Sequence, residues 1–270
     1  MDGQAVPLLD AVVAAGFQAM GRSRQGRPIS MRTFEAARLG FGLPGGSTPR
    51  LLLVGGVHGD EPSSVEALLE LASRLSAAAP SGDGAPAGAG QTRAPPARVM
   101  IIPALNPDGL VAGRKNAASD VDLNRNFPAR NFTRVHRPGY DPGPFPLSEP
   151  ETSLLAEIIE IQAIDAVVAV HAPFGCVNFD GPAEAWAGLV AAASGWPVRE
   201  NIGYPTPGSL GTWLGIDHDI PILTLELLPG PLGGFRLAAA AALDRACDGV
   251  GAADICARIA RSPVNPPEIG

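Results

Sequence analysis

Cysteine is scarce in this chain. Cys176, Cys247 and Cys256 are its whole complement, irregularly spaced and with no Cys-x-x-Cys pair, which excludes a disulfide framework and fits a reducing compartment. Charge is sparse too, at 17% of residues, and the net value is −7 with no cluster of Lys and Arg. A polyanion is therefore not the expected partner, because nucleic-acid binding needs clustered cations that displace counterions. Long apolar runs are missing: none approaches the roughly 20 residues of a membrane span. Leu8 to Phe17 is apolar, but Asp10 interrupts it and no basic residue precedes it, so it does not read as a secretory signal. A cytoplasmic protein is expected. What is present is 46% hydrophobic residue with abundant Ala, Gly and Pro, over 270 positions. That composition suits a compact chain of short helices and shaped loops, and one domain spanning residues 1–270 is expected.

The first 27 residues read as a short helix and a Gly/Arg loop, and Ile29 to Phe34 as an outer strand. Leu51-Leu52-Leu53-Val54 is an apolar run of strand length that stops at Gly55-Gly56 and is followed by His58 and Glu61. Pro62 then opens a helix whose apolar face is Val65, Leu68, Leu69, Ala72 and Leu75, at spacings of three and four. Residues from about 80 to 98 are a low-complexity Pro/Gly/Ala/Ser surface loop, and a strand resumes at Val99–Pro103. Asn106-Pro107-Asp108-Gly109 is a turn signal. A helix is expected from Glu149-Pro150-Glu151 to about Gln162, and a buried strand over Ala163–Val170, ending on His171. Another helix spans about 182–194, a short strand lies near Val198, and a third buried run, Ile222–Leu225, ends on Glu226. An Ala-rich helical tail runs from Phe235 to about Arg261. Apolar strands alternating with amphipathic helices indicate an α/β sheet covered on both faces.

In such sheets ligands gather at the carboxyl ends of the strands. Three buried runs end on His58/Glu61, on His171 and on Glu226, so placing those ends on one edge brings the four residues together. Taken singly, His58-x-x-Glu61 also resembles a solvated turn, and His171 a packed histidine. Together they form a set. Two histidines and a glutamate suit a catalytic zinc with one position open to water, and Glu226 remains to accept a proton from that water and pass it to a leaving amine. Arg114 is a candidate for stabilising the oxyanion. Arg125 offers a planar fork for a carboxylate, with Asn124 as a neighbouring donor. Asp122 is placed to accept the second ring proton of a ligand histidine. Hydrolysis of a peptide or amide is the reaction this set suits.

Gly55-Gly56-Val57-His58-Gly59-Asp60-Glu61, Asn106-Pro107-Asp108-Gly109, Asp122-Leu123-Asn124-Arg125-Asn126-Phe127, Ser148-Glu149-Pro150-Glu151 and Thr224-Leu225-Glu226 together resemble the zinc metallocarboxypeptidases, in that family's order. Within the family, His58-Gly59-Asp60-Glu61 and Tyr204-Pro205-Thr206-Pro207-Gly208-Ser209 look most like the bacterial murein peptide amidase branch, which cleaves the γ-D-glutamyl–diaminopimelate bond of cell-wall peptides. The resemblance implies one Zn²⁺ per chain held by His58, Glu61 and His171, with Glu226 as general base and Arg114 at the oxyanion. It implies that Asn124 and Arg125 hold a terminal carboxylate and that Tyr204 closes over a small peptide substrate. It also implies a three-layer α/β/α sandwich around a mixed, roughly eight-stranded twisted sheet. Three other readings stay open at this point. One is a zinc deacylase of N-acyl amino acids, similar to the aspartoacylase and succinylglutamate desuccinylase branch; another is a carboxypeptidase of other peptide specificity; the third is a zinc-binding pseudoenzyme that serves as a peptide-binding module.

Overall fold

The computed structural model describes residues 5–36, 49–77 and 97–230, together with 236 and 238–242. Most of the low-complexity loop and most of the Ala-rich tail lie outside the described residues; Ala97 and Arg98, expected at the end of that loop, already belong to a strand. Strands β1 (Gln18–Arg22), β2 (Pro28–Ala36), β3 (Arg50–Val54), β4 (Ala97–Ile102), β5 (Ala166–His171), β6 (Cys176–Asp180), β7 (Val198–Arg199) and β8 (Ile222–Glu226) form one sheet. Its order is β1-β2-β4-β3-β5-β8-β6-β7. The four central strands, β4, β3, β5 and β8, are parallel, and antiparallel pairs β1/β2, β2/β4 and β6/β8 extend the sheet on either side. The sheet is thus mixed and eight-stranded, as the motif resemblance implied.

Alternation along the central strands splits the core in two, since successive side chains of a strand point to opposite faces. Leu51 and Leu53 share one cluster with Val99, Ile101 and Val168. That cluster also takes residues of helices α1 (Ala5–Ala14), α2 (Pro62–Ala77) and α5 (Glu184–Ser194), including Val12, Leu68 and Trp186. Leu52 and Val54 lie in the other cluster with Met100, Ile102 and Val167. There they meet Leu155 and Ile159 of α4 (Pro150–Ile161), Phe127 and Trp213. Strands buried on both faces read as unbroken apolar runs, which is why β3, β5 and β8 were legible.

Two strands were not. Gln18–Arg22, expected as loop, is β1, and Cys176–Asp180 is β6. β1 is mostly exposed and belongs to the sheet through its backbone pairing with β2, so it carries no apolar signature. Ile29–Phe34 is consequently an inner strand, flanked by β1 and β4. Asn106-Pro107-Asp108-Gly109 opens a short helix, α3 (Pro107–Ala112), with the Asn106 side chain capping Gly109 N at 2.8 Å and Gly113 in the left-handed conformation (φ 60°) closing it.

The sequence motifs also build the frame beneath the sheet edge. Asn126 is fully buried: its Nδ2 donates to Pro142 O, Phe145 O and Ser148 Oγ, and its Oδ1 accepts from Glu149 N and Thr152 Oγ1. Asp108, also buried, accepts from Ser23 Oγ, Gln25 N and Arg27 Nη1, tying the β1–β2 hairpin to α3. The turn carrying His58 and Glu61 lies directly on α3. A Cβ added to Gly59 would lie 1.9 Å from the carbonyl carbon of Gly109. Backbone rather than a pliable side chain blocks that space, so Gly59→Ala should destabilise the metal-free protein by about 3 kcal/mol, the upper end of overpacking costs. Denaturant titration measures this; an unchanged midpoint would show that the two turns separate freely.

Candidate metal centre and substrate cleft

β3, β5 and β8 are parallel neighbours, so their carboxyl ends share one edge. β3 ends at Val54, and Gly55 and Gly56 lead the chain over that edge to His58. Gly56 has φ 56° and a Cβ there would meet Ala104 Cα at 2.9 Å, so glycine serves both the turn and the close approach. His171 closes β5 and Glu226 closes β8, and the two are register partners. The sheet itself therefore sets a metal-competent histidine beside a carboxylate.

His58, Glu61 and His171 are gathered so that one donor atom from each lies within 4.8 Å of the others. The Glu61 carboxylate spans the imidazoles, with Oε1 2.8 Å from His58 Nδ1 and Oε2 2.9 Å from His171 Nδ1. Both Nδ1 atoms thus point to one place. The other His58 nitrogen, Nε2, lies 3.1 Å from Asp122 Oδ1. Asp122 is fully buried and also caps the 3₁₀ turn Leu123–Arg125 by accepting from Asn124 N. A proton held on Nε2 toward Asp122 leaves the Nδ1 lone pair free for a metal.

The charges respond to this crowding. Burial opposes charge on His58, but the Glu61 and Asp122 carboxylates outweigh it and push the imidazole up to about 9. Burial likewise works against the Glu61 carboxylate, and His171 and His58 overcome it, holding the group down at about 2. Asp122 is lowered against its own burial by His58, Lys115 and Arg125. Two imidazoles converging on a buried carboxylate are a donor set that fits Zn²⁺. Glu226 differs: burial pushes its carboxyl up, and Oε2 is buried with no hydrogen-bond partner among the described residues. A buried carboxylate oxygen without a partner is costly, and such groups mark functional sites.

These residues line a cleft of about 620 Å³ together with Asn124, Arg125, Tyr140 and Tyr204. Asn124 Oδ1 accepts from Leu210 N at 3.0 Å, which orients the amide and leaves its NH₂ group for the cleft. Arg125 is buried, with Nη1 donating to Asn124 O at 2.6 Å. Tyr204 and Tyr140 are partly exposed and face each other with ring centroids 6.0 Å apart. The structure therefore brings together His58, Glu61, His171, Glu226, Asp122, Asn124, Arg125 and Tyr204.

It does not bring Arg114. That side chain is exposed, its Nη2 donates to the carbonyls of Ala117 and Ala118, and it is not among the residues that line the cleft. The next residue, Lys115, lines the cleft instead. Its Nζ is 2.7 Å from Asp122 Oδ2, 3.1 Å from Gly139 O and 3.8 Å from the centre of the Tyr140 ring. Neither Lys115 nor Tyr140 was singled out from the sequence. A signal was there in their rarity: Lys115 is the chain's only lysine, and Tyr140 and Tyr204 are its only tyrosines.

Asp122→Asn keeps the shape but removes the negative charge and leaves one acceptor oxygen where His58 Nε2 and Lys115 Nζ each use one, so zinc affinity should fall by about 10–100-fold. Chelator competition measures it, and unchanged affinity would separate Asp122 from the metal set.

Comparison with known proteins agrees with this geometry. The zinc carboxypeptidase family model matches residues 15–180. Murein peptide amidase A of Escherichia coli K12 is 32% identical over 230 residues, covering 79% of this chain and 82% of that protein. The crystal structure of murein-tripeptide amidase from Escherichia coli O157 superposes with a TM-score of 0.62 at 28% identity, over 86% of this chain and 90% of the other. Carboxypeptidase A from Helicoverpa armigera, 18% identical, shares the fold with a TM-score of 0.65 over 93% of this chain and 71% of its own. With the family model covering more than half of its length, this chain belongs to the zinc carboxypeptidases, a family of zinc-dependent hydrolases.

Proposed function

We propose that this protein hydrolyses the peptide or amide bond preceding a residue with a free carboxylate, and that the bond is the γ-D-glutamyl–diaminopimelate linkage of murein peptides in the cytoplasm. The observation that carries the reading is the pairing, in one cleft, of a three-residue metal set and a buried Glu226, whose Oε2 meets no partner among the described residues, with a wall that holds Arg125 and Asn124. The 32% identity to murein peptide amidase A supports the choice of bond. His58, Glu61 and His171 would hold one Zn²⁺ per chain, which would supply a Lewis acid able to acidify water and polarise a carbonyl.

The chain's own residues do the rest. Glu226 takes a proton from the attacking water at its free Oε2 and delivers it to the nitrogen of the leaving amine. Its upward shift makes the protonated form accessible enough for that delivery. Arg125 presents its guanidinium fork to the terminal carboxylate and Asn124 adds an amide donor, fixing which bond lies over the metal set. Tyr204, on the exposed side of the cleft, covers the bound peptide and limits water access.

Glu226→Gln should keep zinc and lose about 10³-fold in kcat, within the usual span of general acid–base contributions. Full turnover in that variant would remove Glu226 from the reaction. Substrate scope is tested by following release of diaminopimelate from murein tripeptide beside release of amino acids from N-acyl amino acids. The free tripeptide should be cut and its C-terminally amidated form resisted, whereas equal cleavage of both would sink the carboxylate anchor. Faster release from N-acyl amino acids would favour a deacylase.

A further inference from the structure

A substrate residue whose carboxylate meets Arg125 and whose acylated nitrogen faces Glu226 must also seat its side chain, and the β6/β8 pairing shows where. Register partners across an antiparallel pair project on one face, so Glu226, Thr224 and Ile222 of β8 share a face with Cys176, Asn178 and Asp180 of β6. That face is otherwise apolar, with Ile222 in the cluster that holds Val167, Ala169, Trp213 and Leu214. Within it, Glu226, Thr224, Asn178 and Asp180 make a polar stripe. None of the last three lines the cleft described above, so the stripe starts at Glu226 and leads out of that cleft. β8 is an inner strand, yet Thr224 is its one residue that is not buried. Asn178 and Asp180 are half-buried as well. An opening therefore lies over the stripe, bordered by small Ala169, the β5 register partner of Thr224. We propose that Thr224, Asn178 and Asp180 floor a pocket for the side chain of the released residue, and that Asp180 binds an ammonium group carried at its far end. The proposal rests on the hydrolytic reading above and names the side-chain chemistry selected.

The segment packed on Asp180 makes room for its carboxylate. A Cβ added to Gly211 would lie 2.2 Å from Asp180 Oδ2, and one added to Gly215 would lie 2.6 Å from Asp180 Cβ. Gly211 has ordinary right-handed dihedrals (φ −61°, ψ −47°), so its backbone does not require glycine; the space taken by Asp180 does. The preceding Leu210 N donates to Asn124 Oδ1, which ties this segment to the residues that receive the carboxylate.

Among the described residues no donor and no cation meets the Asp180 carboxylate, and burial alone pushes its carboxyl up. Asn178 commits Nδ2 to Arg199 O at 2.7 Å, which leaves Oδ1 as an acceptor. Acceptors without partners suit a donor-only group, and an ammonium carries three donors and no acceptor. Reach agrees with this. Asp180 stands opposite Ile222, roughly 13 Å along β8 from Glu226 at the usual rise of a strand. A side chain with nitrogen on its fourth carbon spans roughly 6 Å from its Cα, and a hydrogen bond at either end adds about 3 Å. Diaminopimelate has that length.

Two γ-D-glutamyl peptides with free terminal carboxylates isolate the ammonium. One ends in diaminopimelate; the other ends in 2-aminopimelate, which keeps the distal carboxylate and lacks the distal amine. In wild type, kcat/KM should be about 10–100-fold lower for the 2-aminopimelate peptide, the span of one hydrogen bond to a charged group. Asp180→Asn should lose about 10–100-fold on the diaminopimelate peptide and stay within about threefold of wild type on the other. Free diaminopimelate should bind wild type at least about tenfold more tightly than 2-aminopimelate, and Asp180→Asn should erase the difference, as calorimetry reads. A merely structural Asp180 would lower both peptides alike. Equal cleavage of the two peptides by wild type, which needs no variant to fold, or an equal loss on both in Asp180→Asn overturns the proposal and leaves the hydrolytic reading standing. A wild type that cuts neither peptide overturns that reading and the proposal with it.

Discussion

The parallel pairing of β5 between β3 and β8 is the constraint on which the rest of the molecule depends. Parallel strands need long crossovers, so α2 and α5 cover one face of the sheet and α4 the other. All three carboxyl ends then fall on one edge, where backbone groups that leave the ladder must be met by turns and side chains. The turn after β3, the last residue of β5 and the last residue of β8 are forced into company there. His171 and Glu226 are register partners, so a one-residue slip of β8 would turn the glutamate to the opposite face. The site is precise because the sheet is.

The polar residues of the motifs divide into two kinds. Asn126, Asp108 and Glu149 are buried and committed to hydrogen bonds that hold loops against the sheet: Asn126 closes the 142–152 segment, Asp108 pins the hairpin, and Glu149 binds Arg24 and Ser119. Leaving any of these unpaired in the interior would cost more than the bond contributes when made, which makes the frame rigid. Glu226 and the Asn124 amide retain hydrogen-bonding capacity that no described residue uses. That contrast separates frame from machinery more sharply than motif membership does.

Charge is partitioned within the cleft. Glu61 lies between two imidazoles, and Asp122 faces His58 on one oxygen and Lys115 on the other, so each of these two carboxylates is met by two nitrogen groups. Lys115 and Arg125 both approach the Tyr140 ring, at 3.8 and 5.3 Å, which makes an aromatic face the common surface of the two cations. Tyr140 comes from the Pro-rich segment before α4 and meets Tyr204 across the opening. Two loops distant in sequence thus form the mouth of one cleft.

The amino-acid sequence by itself determined the central strands, α2, α4 and α5, and the convergence of His58, Glu61, His171 and Glu226. Strands buried on both faces must be apolar throughout, and residues that end them are placed by the strands. It did not reveal β1 or β6. An edge strand held by backbone pairing, or a short one of mixed polarity, has no periodic signature, and without β1 the strand Pro28–Ala36 reads as outermost. Nor could spacing choose between Arg114 and Lys115. Adjacent side chains leave the backbone in different directions, and after Gly113 ends α3 in a left-handed turn the directions depend on what captures each one. Backbone carbonyls capture Arg114, while Asp122, Gly139 and Tyr140 capture Lys115. Identity and order of the candidate metal ligands are local properties of the chain; which of two neighbouring cations lines the cleft is decided by contacts that exist only once it has folded.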